Sequence, residues 1–305
     1  MKKILVLYFS QSGQLRTVSD LLTQSFQQDS NYSVHFEELK PVTPFPFPWS
    51  AFSFFNAFPE TYHQKMISLQ PVSEVAKQPY DLVILAYQPW FLSPSPVMAS
   101  FLRSEEGKQI LANKNVVTVL GCRNMWLDAQ EKVKRYLREA KANLVGNIAM
   151  VDNSGNLTSL VTILRWLLAG KKEAFWFFPQ AGIQQADLDK LPSFGKLIKE
   201  MVEKNELDGL QQRLNGAEAV VIKPELVLLE KRGNRAFPIW ANFIARGGSS
   251  DSLGRKVRVY IYMFLLPTAV FVLSPILSLV TAILLRVKKD ELQKEVNYFY
   301  QNSLR

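Results

Sequence analysis

The sequence predicts an α/β protein built on a doubly wound parallel sheet. Apolar runs of strand length, among them Ile4–Phe9, Asp81–Tyr87 and Val116–Gly121, are rich in β-branched and aromatic residues, as strands buried on both faces are. Segments of helical period separate these runs, and small or proline-rich polar turns follow them directly. Tyr32–Leu39 and Leu144–Val151 complete five expected strands. Right-handed crossovers then bring the turns after strands one, three and four to one switch point at the carboxyl edge of the sheet.

The turn after the first strand reads Ser10-Gln11-Ser12-Gly13-Gln14-Leu15. It leads into a helix whose apolar positions 18, 21, 22 and 26 share one face. Free N–H groups at that helix start, two hydroxyls and a glycine suit an anion such as phosphate. The same residues also suit a plain strand-to-helix connection. Neither a P-loop nor a Gly-x-Gly-x-x-Gly turn is present.

Between Pro41 and Pro48 four prolines exclude a helix or a central strand, and eight aromatic residues fall between Phe45 and Tyr62. The insertion at 41–66 reads as a lid over a binding site or as a self-packed cap. His63 closes it and is the histidine placed to reach a substrate. His35 lies on the solvent side of an edge strand. Gln88-Pro89-Trp90-Phe91 follows the third strand, and Gly121-Cys122-Arg123-Asn124 the fourth. Cys122 reads as a small core filler or as a thiol facing the site. Arg123 reads as a stabiliser of developing negative charge or as an ion-pair partner.

The 305 residues, 48% hydrophobic and 12% aromatic, suffice for a large core. One cysteine excludes an intrachain disulfide, and with two histidines it leaves no expected metal centre. The soluble part therefore reads as cytosolic. A net charge of +9 arises without a long basic run, which favours an anionic membrane and a cofactor phosphate as partners over nucleic acid.

The turn Ser10–Gln14, the stretch Tyr80–Leu85 with Pro89-Trp90, Ser93-Pro94 and Ser100-Phe101-Leu102, and Gly121 with its loop together resemble flavodoxin-like flavoproteins over the first half of the chain. That resemblance implies strand order 2-1-3-4-5 and FMN as cofactor. Ser10, Ser12, Gly13 and Gln14 would hold its phosphate, with Gln11 in the same loop and Leu15 where the family often has Thr. Gln88, Pro89, Trp90 and Phe91 would flank the isoalloxazine, and Gly121, Cys122, Arg123 and Asn124 would close it. A narrower resemblance adds Pro44–Trp49, Tyr87–Ser95 and Gly121–Trp126. It is to bacterial flavodoxin-fold proteins labelled dialkylresorcinol-condensing enzymes, which accompany ketosynthases in lipid-like resorcinol or aryl-polyene pathways. It implies ketosynthase or acyl-carrier partners and an aromatase role on a cyclic diketone, since removal of two hydrogens suits a flavin. Condensation itself would need a nucleophilic Cys with His partners, which Cys122 lacks in sequence.

In the second half, Leu157–Leu168 is apolar nearly all round, and the aromatic run Phe175–Phe178 follows Lys171 and Lys172, as at an interface or in a helix packed on the sheet. Val259–Leu285 carries no charge and predicts a membrane segment. Basic residues flank it at both ends, and Pro267 and Pro275 interrupt it. A bent hairpin is therefore preferred to a single span, because both basic ends then stay cytoplasmic; an unusually apolar soluble hairpin is the third reading.

The expected organisation is a flavodoxin-like domain at 1–180, a mostly helical extension at 181–256, a membrane anchor at 257–288 and a polar tail at 289–305. The expected function is that of an FMN-dependent oxidoreductase on the cytoplasmic face of the inner membrane. It acts on an apolar, lipid-tailed cyclic diketone or quinone-like substrate, with His63, Cys122 and Arg123 as candidate catalytic residues. A membrane-bound electron carrier and a flavin-free scaffold for biosynthetic enzymes are the alternatives.

Overall fold

Five parallel strands form one sheet: β1 (Lys2–Tyr8), β2 (Tyr32–Glu38), β3 (Leu82–Tyr87), β4 (Asn115–Cys122) and β5 (Asn143–Val151). The computed structural model that shows them describes residues 1–304; the side chains at 156, 157, 267, 269–271 and 273–275 lie outside the description. The order is β2-β1-β3-β4-β5, the 2-1-3-4-5 arrangement of flavodoxin-like doubly wound sheets. Strand β3 is central, with Leu85 paired to Leu7 on one side and to Thr118 on the other. All six of its residues are buried, which is why it reads as an unbroken apolar run.

Connecting the strands are α1 (Gln14–Gln27), α2 (Ala51–Asn56), α3 (Phe58–Tyr62), α4 (Pro96–Arg103), α5 (Glu105–Leu111) and α6 (Leu127–Glu139). After the sheet come α7 (Asn156–Ala169), α8 (Gln185–Leu188), α9 (Leu191–Lys204), α10 (Leu210–Gly216), α11 (Pro224–Ala245), α12 (Leu253–Val287) and α13 (Lys289–Gln301). Local chemistry sets several starts. Ser95 accepts from the Met98 amide with Pro96 in the first turn of α4, and Ser104 caps α5 through the Gly107 amide.

The period-two alternation of β1 divides the core. Ile4 and Val6 face Val18, Leu22 and Phe26 of α1 together with α9. Leu5 and Leu7 face α4 and α6, which are joined by Val227 and Leu228 of α11 and by Leu292 and Val296 of α13. The expected boundary at residue 180 therefore separates no cores. The segment 181–256 supplies α9 and α10 to one face of the sheet and α11 to the other, so both layers of the core include it.

Two further expectations are corrected. Residues 289–301 are no free tail: α13 docks on the sheet with Leu292 and Val296 buried, and Lys231 pairs with Glu295. Asn302 follows in a left-handed turn and enters a buried polar network. The Gln130 amide donates to Asn302 Oδ1 (3.0 Å) and to Thr118 Oγ1 (3.0 Å), and the Tyr87 hydroxyl donates to Gln130 Oε1 (2.7 Å). Arg305, the last tail residue, lies outside the described residues.

The preferred hairpin at 257–288 is the second correction, since α12 is a continuous helix of 35 residues, about 52 Å long at 1.5 Å per residue. Proline alone kinks a helix, and between 259 and 285 the sequence offers no Gly, Asn or Asp for a reversal. Among the described residues no helix is long and apolar enough to cross a membrane. The centre of the expected anchor falls on side chains outside the described residues.

Candidate functional site

The turn from β1 into α1 is held from three sides. Ser10 Oγ accepts from the Leu15 amide (3.2 Å), closing the turn internally. Gln11 reaches into the aromatic insertion, donating to the carbonyls of Phe45 (3.3 Å) and Pro46 (2.9 Å). Gln14 pairs with the backbone of Ile183 through both amide atoms, each at 3.4 Å. Leu15 points into the core rather than into the turn.

What stays open is Ser12-Gly13, both exposed at the start of α1. Gly13 adopts φ +84°, and a Cβ built there would meet no atom within 4 Å. Gly13 at the N-cap has no side chain to cap α1, Ser10 takes only the Leu15 amide, and no acid lies in the first turn. The positive end of the helix dipole therefore faces outward without a protein counter-charge.

The loop after β3 meets this turn through rings. Trp90 packs edge-on against Phe9 (6.2 Å between centroids), Phe45 (5.1 Å) and Trp49 (5.6 Å). Pro89-Trp90 and Ser93-Pro94 pair as a minute antiparallel ribbon, whose tip holds Phe91 and Leu92 at positive φ. Phe91 faces Phe54 and Phe58 at 4.9 Å each, away from Trp90. Gln88, at the end of β3, has a buried Nε2 with no hydrogen-bond partner. A buried amide left so calls for an acceptor that the polypeptide does not supply.

The loop after β4 approaches from the other side. A Cβ on Gly121 would lie 3.3 Å from both Leu15 Cδ2 and Ile183 Cδ1. Cys122 packs against the core, and burial, with the negative charges of Glu230 and Asp152, pushes its thiol well up. A thiol held in its protonated form fits the core-filler reading of Cys122. Arg123 is half-buried near Asp152; burial lowers its pKa while Asp152 opposes the shift. Its guanidinium stays charged at any physiological pH.

His63 is not at this edge. It ends α3 as an exposed residue, separated from Trp90 by the chain of rings Trp49, Phe54, Phe91, Phe58 and Tyr62. The insertion is long enough to carry its far end away, which the sequence position alone does not reveal. The structure thus brings together Ser10–Gln14, Gln88–Trp90 and Gly121–Arg123, and leaves His63 outside. Among the described residues no group of three or more His, Cys, Asp or Glu is placed to hold a metal.

Several residues of the site carry no local signature in sequence. Gly182, at φ +85°, lies so close to Gln14 and Trp166 that a Cβ would come within 2.7 Å of Gln14 Oε1. With Ile183 it backs the turn. The Trp49 amide donates to the Leu167 carbonyl (2.8 Å), tying α7 to the insertion. Glu230 of α11 accepts from the amides of Trp126 (2.7 Å), Leu127 (2.8 Å) and Asp128 (2.8 Å). A glutamate a hundred residues away thus caps α6 and anchors the loop carrying Arg123. A contact made across a hundred or more residues leaves no mark in the local sequence.

No protein-family model matches the chain, and no curated protein matches it. Solved structures that are similar include a flavoprotein in complex with FMN from Lactobacillus acidophilus NCFM. It is 16% identical, with a TM-score of 0.38, over 49% of this chain and 93% of that one. Another is the Trp repressor binding protein from Bacillus subtilis, 11% identical with a TM-score of 0.30 over 55% of this chain and 99% of that one.

Proposed function

We propose that the chain binds FMN at the edge formed by the turns after β1, β3 and β4 and acts as an oxidoreductase on an apolar cyclic substrate at a membrane surface. The observation that carries the reading is the pairing, on one sheet edge, of an open helix start at Ser12-Gly13 with the unpartnered buried Nε2 of Gln88. The first fits a phosphate, because free amides and a helix dipole meet a dianion with no side chain in the way. The second fits a ring carbonyl or nitrogen as acceptor. When bound, the flavin supplies a two-electron acceptor for hydride.

The protein's own part is to bind, orient and exclude water. Ser12 and the first-turn amides hold the phosphate, and Gln88 supplies a directed hydrogen bond. Trp90, backed by Phe45 and Trp49, gives an apolar wall on which a planar ring stacks. Arg123 offers fixed positive charge to an enolate, the form a 1,3-diketone takes on losing the acidic proton between its carbonyls. Oxidative aromatisation of a lipid-tailed cyclic diketone, of the dialkylresorcinol or aryl-polyene type, is the reaction we assign.

Membrane association is supported by α12, where Tyr260, Phe264, Val272, Ile276, Leu279 and Ile283 are all exposed. A patch of that kind is seldom left in water. Lys256, Arg286, Lys288 and Lys289 flank it and suit anionic headgroups on the cytoplasmic leaflet. The helix would lie against the bilayer as an interfacial anchor.

The test is single-turnover spectroscopy. FMN-loaded protein is mixed anaerobically with a 2,5-dialkyl-1,3-cyclohexanedione, with and without anionic vesicles. Bleaching of the flavin band together with formation of the resorcinol supports the assignment. A stable oxidised spectrum with unchanged diketone removes it.

A further inference from the structure

A second concavity lies away from the switch point, between the ends of α3 and α4 and the outer face of α6. Its volume is about 500 Å³, and Tyr62, His63, Arg103, Lys132, Arg135 and Tyr136 line it, with Glu139 as the sole carboxylate of the lining. His63, which the cofactor edge leaves out, belongs here.

The cations of this wall are held in place. Arg103 and Arg135 both stack on the ring of Tyr136, their guanidinium carbons 5.8 and 4.9 Å from its centroid. Arg103 Nη1 donates to the Gln64 carbonyl (2.5 Å), Arg135 Nη2 donates to the Tyr136 hydroxyl (3.0 Å), and that hydroxyl donates to Gln64 Oε1 (3.1 Å). Lys132 Nζ is fixed by the Leu92 carbonyl (2.8 Å), Ser93 Oγ (2.9 Å) and Asp128 (2.8 Å), and lies 5.1 Å from the Tyr62 centroid.

Lys132 therefore has its carboxylate. Among the described residues neither Arg103 nor Arg135 forms an ion pair. Two like charges on one ring repel, and an ordinary surface would relieve them with an acid or let one arginine swing into water. Here hydrogen bonds and stacking hold both, so less side-chain freedom is lost when an anion arrives.

We propose that this cavity binds the phosphate group of an organic phosphate. The Arg103 and Arg135 forks take its oxygens in charge-assisted hydrogen bonds, His63 and Lys132 flank it, and the Tyr62 ring packs on the carbon skeleton. The site is separate from the flavin edge and does not depend on the redox assignment. The phosphate belongs either to a water-soluble phosphoester or to a lipid headgroup.

Calorimetric titration of the full chain with glycerol 3-phosphate, and flotation with phosphatidic acid vesicles, read the two sources. Saturable binding of glycerol 3-phosphate assigns a soluble ligand. Flotation that the arginine pair controls, without such binding, assigns a headgroup. The double variant Arg103→Gln, Arg135→Gln is expected to weaken whichever interaction is seen by at least about tenfold, as loss of charge-assisted bonds does. Glu139→Gln, at an exposed position, is expected to strengthen it several-fold. Ser12→Asp, which places a carboxylate at the flavin phosphate, is expected to leave it unchanged, so a failed flavin assignment does not imitate a failed phosphate site. No saturable interaction with either probe, or equal binding by a double variant with wild-type melting, overturns the proposal. So does weakening by Glu139→Gln.

Discussion

Glu230 shows how one side chain ties a late helix to an early loop. Its two oxygens take three amide donors at the start of α6, yet burial dominates and raises its carboxyl from the usual 4.5 to about 7. Between those values the folded protein holds a proton that the unfolded chain has released. Stability therefore falls as pH rises through this window, by up to about 1.4 kcal/mol per pH unit, and levels off above it. Melting temperatures from pH 5 to 8 should show that decline in the wild type and lack it in Glu230→Gln. An identical slope in both proteins would refute the assignment.

Arg255 and Glu60 work with the opposite sign. Burial would raise Glu60, but the two-pronged hydrogen bonds and charge of Arg255 (2.8 and 2.5 Å) outweigh it and hold the carboxyl below its ordinary value. The stabilisation is fully present above the ordinary carboxylate pKa and is lost as pH falls through the folded one. Arg255 is only 3% exposed, so Arg255→Ala strands a half-buried carboxylate and should cost about 3 kcal/mol in urea unfolding. A change below about 0.5 kcal/mol, typical of exposed pairs, would show the contact to be a surface one.

At the scale of elements, α12 and α13 divide the work of the C-terminal region. In α13, Leu292 is 2% exposed against the core, and Asn302 beyond its end completes the network through Gln130 and Thr118. Leu292→Ala should destabilise by about 2 to 4 kcal/mol through the cavity it leaves. Asn302→Ala should cost about 1 to 3 kcal/mol by orphaning a buried amide. Chemical denaturation measures both, and unchanged midpoints would mean that the helix docks without contributing.

The outward face of α12 predicts a different result. Ile276 and Ile283 are 60% and 52% exposed, so changing both to Asp should leave the melting temperature within about a degree, since exposed positions seldom contribute more than about 0.5 kcal/mol. The same pair of changes should abolish sedimentation with anionic vesicles. Sedimentation retained by the double variant would place the membrane contact elsewhere.

For the whole molecule, what the sequence made legible follows from how local each signal is. The strands and the three converging turns announce themselves by apolar runs ending in Ser, Gly or Pro, because parallel pairing buries both faces. The switch point then follows from handedness. The placement of His63 was not legible, since it depends on how a proline-rich insertion folds over distant rings. Nor was the docking of residues 289–301, where two apolar residues in a charged stretch look like a tail until the sheet face they cover is seen. The hairpin expectation failed because it rested on basic residues at both ends and two prolines between them, none of which reverses a helix.

Convergence of the three turns is also what the functional reading rests on. Flavin fluorescence quenching, titrated with FMN and with riboflavin on wild type and Ser12→Asp, tests it most directly. The account predicts that wild type binds FMN at least about tenfold more tightly than riboflavin, the value of two or more charge-assisted hydrogen bonds to a phosphate. It predicts that Ser12→Asp loses this preference while its riboflavin affinity stays unchanged. Equal affinity of the wild-type protein for the two flavins, or no quenching by either, would contradict it.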